Sequence, residues 1–91
     1  MATLKVKKPT AAMVDHFLDV ALRDWQMAGE LDELDPVFVE GFLTDWPVVE
    51  DLMARLARWE HEGFMSPAQC EKYAEVRCLE DEHRPAIESE L

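Results

Sequence analysis

At 91 residues the chain has room for one small domain, in the size range where a single hydrophobic core only just suffices. Hydrophobic residues make up 48% of it, which excludes wholesale disorder. The formal net charge of -11 argues against direct binding of phosphate backbones or anionic lipid by the folded body. Three glycines, five prolines and few β-branched runs lean the composition towards helix.

Residues 1 to 9, MATLKVKKP, hold three of the nine bases, Lys5, Lys7 and Lys8. Leu4 to Lys7 alternate in a strand-like period, but no second strand follows, so a flexible basic tail is expected. From Pro9 onward six bases face twenty acids.

The domain proper is expected over residues 10 to 84. Thr10 is placed to cap a first helix running to about Ala28, with Gly29 as a left-handed stop. Met13, Val14, Phe17, Leu18, Ala21, Trp25 and Ala28 recur at helical intervals and define its buried side. The following GELDELD is too short and polar for a strong element. Asp35 then stands as an N-cap with Pro36 at the first helical position, which predicts a short second helix to about Thr44. It would carry Phe38 and Phe42 on one side, with Gly41 weakening it.

Pro47 disfavours helical geometry in Trp46, so a break is expected at Asp45 and Trp46, with Thr44 or Asp45 as the next cap. The third helix should run to about Glu62 and bury Val48, Val49, Leu52, Met53, Leu56, Ala57 and Trp59. Gly63 and Phe64 are spaced for a Schellman turn onto Trp59. Ser66, Pro67 and Gln69 form a capping box that opens a fourth helix, expected to stop near His83 because Pro85 follows. Two stripes, Cys70–Ala74–Cys78 and Tyr73–Val76–Leu79, suggest that this helix touches neighbours on two sides. Residues 85 to 91 read as an acidic tail. The fold expected is all-α: a compact irregular bundle of four helices, the second short, behind a basic N-terminal tail. The run WEHEGFMSPAQ resembles the helical pairs of small phage-encoded proteins, through its glycine, apolar pair, serine cap and glutamine. The resemblance spans about a dozen residues, largely restates capping chemistry, and names no family.

Several kinds of chemistry have candidate residues and the wrong spacing. His61, Cys70, Cys78 and His83 are zinc-ligand types, but paired ligands on one helix need intervals of three or four, which these lack. Glu80 and His83 make one E-x-x-H where a di-iron bundle needs two. Asp15, His16 and Asp19 lie on or beside the wet side of the first helix, with no apolar pocket to shift a pKa. No nucleophile elbow or phosphate-binding glycine loop is present. An enzyme, a cofactor and a metal are therefore not expected. The fourth helix is too acidic to enter a DNA groove, since Lys72 and Arg77 are outnumbered by Glu71, Glu75, Glu80, Asp81 and Glu82. Two cysteines are too few for a disulfide framework, and no apolar run is long enough for a bilayer span or a signal sequence. A cytoplasmic location with reduced thiols is expected.

What remains is the stretch from Asp24 to Ala54, with nine carboxylates and no lysine or arginine. Asp35 and Asp45 have capping work, and Glu50 and Asp51 suit a helix N-terminus. Glu30, Asp32, Glu33 and Glu40, beside Phe38, Phe42 and Trp46, are the expected partner-binding residues. The function they suggest is a non-enzymatic acidic interaction module that binds a basic, nucleic-acid-handling protein, as a phage-type anti-defence inhibitor would by mimicking nucleic acid. Mimicry requires those acids to share a face. The alternative is a structural or adaptor subunit that forms a homodimer through its exposed aromatics.

Overall fold

The computed structural model describes residues 7 to 91, and within them the chain is all-α, with no strand. Four helices follow one another: α1 (Ala11–Ala28), α2 (Pro36–Thr44), α3 (Trp46–His61) and α4 (Pro67–Glu90), with a 3-10 turn at Leu31–Glu33. Most of the expected tail lies outside the described residues. Lys7 and Lys8, at its end, are exposed.

Helix starts are set by local chemistry. The Thr10 hydroxyl accepts the Met13 N–H at 3.1 Å, and Asp35 Oδ1 accepts the Val37 N–H at 2.8 Å. Ser66 and Gln69 complete a reciprocal capping box, the Ser66 N–H donating to Gln69 Oε1 at 2.9 Å and the Gln69 N–H to Ser66 Oγ at 3.2 Å. At the end of α3 the Phe64 N–H reaches the Trp59 carbonyl at 2.9 Å, across Gly63 at φ 75°, which is the Schellman geometry. Asp45 alone separates α2 from α3. It sits where an N-cap would, but its side chain makes no capping bond, and Trp46 is already helical.

The expected role of Gly29 is corrected. Its φ is -77°, right-handed, because the chain passes directly into the 3-10 turn. Glycine is needed there for a different reason: a Cβ at this position would lie 2.6 Å from His83 Cε1, so the imidazole of α4 rests on bare backbone.

α1 is the central helix. Its buried residues Val14, Leu18, Ala21, Trp25 and Ala28 repeat at intervals of four and three. α3 runs antiparallel to it, with Trp25 edge-on to Trp46 at 4.9 Å near one end and Phe17 tilted on Trp59 at 5.1 Å near the other. α4 runs parallel to it. Gln69 Nε2 donates to the Ala11 carbonyl at 3.3 Å and to Asp15 Oδ1 at 2.9 Å, Lys72 pairs with Asp19, and His83 meets Gly29. Gln69 therefore both caps α4 and ties it to the start of α1.

Four expectations about burial are corrected, the first being Met13, which is 45% exposed and not on the buried side of α1. Val48 is 70% exposed and Ala57 is exposed, because α3 turns Val49, Leu52, Met53, Leu56 and Trp59 inward instead. The Cys70–Ala74–Cys78 stripe does not face a second neighbour: Ala74 and Cys78 are exposed and Cys70 is half-buried, while Tyr73 and Val76 pack against the core. The end of α4 is later than predicted. The helix continues through Pro85 to Glu90, and Ile87 is completely buried, so residues 85 to 90 are helix and not tail. Pro85 leaves the Asp81 carbonyl without its helical donor, but both residues are exposed and water can take that bond. The core contact of Ile87 offsets the loss. A clamp one residue earlier holds the same turn: Arg84 bonds Glu50 at 3.0 Å and also Glu80, and its guanidinium lies 5.3 Å from the Trp25 ring.

Candidate partner-binding surface

α2 reads PVFVEGFLT, apolar at Pro36, Val37, Phe38, Val39, Phe42 and Leu43. Such residues surround the helix on nearly all sides, and a helix of that kind normally goes inside. Here none of its residues is buried. Only Phe42 and Leu43 pack against the core, leaving Val37 78% and Phe38 47% exposed. The cause lies in the sequence around it. A 3-10 turn on one side and a one-residue link on the other leave α2 packed chiefly against α3 among the described residues.

The exposed apolar atoms extend beyond α2. A shallow hollow of about 300 Å³ is bordered by Val37, Phe38, Gly41, Phe42, Asp45 and Val49. Val49 also borders a second hollow, of about 320 Å³, between α1 and α3, where Phe17, Val20 and Val48 are the other main apolar walls. The two adjoin at Val49 and together are termed the strip. Phe38 stacks on Phe42 with centroids 6.4 Å apart, and Phe42 meets Trp46 edge-on at 5.4 Å, so the aromatic part is anchored to the core.

Carboxylates edge this strip. Asp45 stands at the first hollow; Asp24 and Asp51 stand at the second, together with His16 and with Arg55, which is paired with Asp51 at 3.3 Å. Burial holds the Asp24 carboxyl above its ordinary range, and the nearby Arg23 only partly offsets this. A charge already deprived of water on one side gains more from a cation brought to it than a fully hydrated one would.

The seven residues expected to meet a partner are divided by the structure. Phe38 and Phe42 lie on the strip. Trp46 does not: it is 2% exposed, its ring is in the core and its indole N–H donates to Glu50 Oε1 at 3.2 Å. Glu40 is exposed but is two positions from both phenylalanines, which places it about 160° round the helix from them. Glu30 borders a separate hollow beside Met27, Leu79 and His83, between α1 and α4. Asp32 and Glu33 are exposed in the 3-10 turn. Glu30 and Glu40 thus do not stand beside the phenylalanines as expected. Sequence reasoning missed Val37, Val48, Phe17, Val20 and Asp24. The all-round apolar character of α2 was a usable signal for Val37, whereas the exposure of Val48 depends on how α3 is rotated.

Elsewhere, His61 and Cys78 are exposed, and among the described residues no three His, Cys, Asp or Glu side chains converge as a metal site would require. No helix among these residues is long and apolar enough to cross a membrane. No family model matches the chain, and no curated protein or solved structure is similar enough to match it.

Proposed function

We propose that this chain is a non-enzymatic interaction module that takes a basic, amphipathic protein segment onto the strip formed by α2 and the first turns of α3. The observation that carries this reading is α2 itself, a capped helix, apolar on nearly every side, with no buried residue. Its apolar atoms supply the anchor, and Asp24, Asp45 and Asp51 supply the rim that selects positive charge. Carboxylates away from the strip, Glu30, Asp32, Glu33 and Glu40 among them, act at longer range by steering a basic partner towards the molecule. A nucleic-acid-handling protein has such surfaces, and an inhibitor of the phage type would work by occupying one. Charge favours this occupant over a second copy, because a homodimer through Phe38 would bring together two bodies of charge -11.

A synthetic amphipathic peptide of lysine and leucine, titrated into labelled protein, provides the test. Amide shifts should concentrate in residues 17 to 24 and 36 to 52. Phe38→Asp, an exposed substitution that leaves the core intact, should weaken binding at least tenfold. Shifts spread evenly over the surface would sink the proposal. So would a stable dimer that Phe38→Asp dissociates, which would establish the homodimer instead.

A further inference from the structure

The cations of this acidic protein are not distributed as its charge would favour. Of the eight lysines and arginines in the described residues, four line one hollow of about 510 Å³ between the approach to α1 and the last turns of α3: Lys7, Lys8, Arg55 and Arg58. No carboxylate lines it. Arg55 shares Asp51, and Lys7, Lys8 and Arg58 have no ion-pair partner among the described residues; of the four cations outside the hollow, Lys72, Arg77 and Arg84 are paired and Arg23 is not. Like charges gathered in this way repel one another, and with twenty acids in the chain there were many places to set them against an opposite charge. The hollow also has an apolar floor, formed by the half-exposed Met13 and the edge of Trp59. Arginine stems add apolar surface beneath their charged heads.

We infer that this hollow is a second docking site, opposite in sign to the strip on α2, and that it takes a short acidic peptide segment with an apolar side chain between its carboxylates. The apolar floor receives that side chain while the four cations meet the flanking carboxylates. A nucleic acid fits less well. A long polyanion that reached these four cations would also have to lie along a body with six bases against twenty acids from Pro9 onward, whereas a peptide of about six residues, some 20 Å extended, covers the hollow and little else. The chain would then present two sites of opposite sign, one for a basic segment and one for an acidic segment, that adjoin at Arg55, which lines both hollows and is paired with Asp51.

The test uses the whole chain, isotopically labelled, and three probes: a hexapeptide alternating glutamate and leucine, the same peptide with lysine for glutamate, and a twelve-nucleotide single strand. The glutamate peptide should shift amides of residues 7 to 13 and 55 to 59, and the paired substitution Arg55→Glu with Arg58→Glu should weaken it at least tenfold. Both arginines are exposed, so the helix should survive, and Lys72→Glu, outside the hollow, should leave binding unchanged. Four results would each overturn the inference: no shifts at millimolar peptide, shifts confined to other residues, equal shifts in this hollow from the lysine peptide, or tighter binding of the oligonucleotide. The lysine peptide shifting only residues 17 to 24 and 36 to 52 would leave the site on α2 standing whichever way the glutamate peptide behaves.

Discussion

Gly29 and Gly63 look alike in the sequence, each standing after an amphipathic run, yet they are glycine for unrelated reasons. Gly63 needs its positive φ, while Gly29 has an ordinary helical φ and no room for a Cβ. Gly29→Ala should therefore cost about 1–3 kcal/mol by forcing the imidazole of His83 aside. The same change made on a His83→Ala background should cost almost nothing, and a double-mutant cycle by chemical denaturation reads the difference. Asp24 makes a second prediction at this scale. Its carboxyl is held above the usual range by burial, so the folded state binds that proton more readily than the unfolded chain does. The ionised form thus costs stability at neutral pH, and the cost disappears as pH falls through the raised folded value. Asp24→Asn should be more stable than wild type at pH 7, and the gap should close on acidification towards about pH 3, below the ordinary aspartate value. Equal gaps at both pH values would show that the effect is not one of charge.

Helix boundaries were legible because they are written in short-range chemistry. Thr10, Asp35, the Ser66–Gln69 box and Gly63 each act within a few residues, and all four do what their spacing implied. Helix faces were less legible. Val48 and Val49 are adjacent valines, and which of them turns inward is decided by α1, some thirty residues away, through the packing of Trp25 on Trp46. Trp46 was misplaced for the same reason, and so was half of the candidate surface: Phe38 and Phe42 could be read from the chain, but the separation of Glu30 and Glu40 from them could not. The end of α4 failed differently. Pro85 is a sound local stop signal, overridden by a tertiary contact that no local rule contains. If Ile87 holds the last turn as described, Ile87→Ala should cost about 2–5 kcal/mol and release residues beyond Pro85 to rapid amide exchange. A tail would register almost nothing.

Across the whole molecule, the excess of acid dominates the electrostatics. The ion pairs among the described residues are few and at least partly exposed, while the net charge of -11 acts on every part of a compact body. Raising ionic strength from about 0.01 M to about 0.15 M should therefore raise the thermal midpoint, since it screens more repulsion than attraction. A fall would mean that the Arg84 and Lys72 pairs outweigh the net charge. The parallel placement of α4 along α1 also governs the order in which the chain can assemble. α1 and α3 meet first through Trp25 and Trp46, about twenty positions apart, and zip outward to Phe17 and Trp59, about forty apart, but Gln69 must return to Ala11 across 58. Closing a segment of that length costs roughly 3–4 kcal/mol in chain entropy beyond a fixed term. The first three helices can collapse on the ribosome as they emerge, but the flank of α1 that α4 covers stays open until α4 itself has been made. Folding then finishes by the docking of one long helix, and during that interval the nascent chain depends most on its charge to stay out of aggregates.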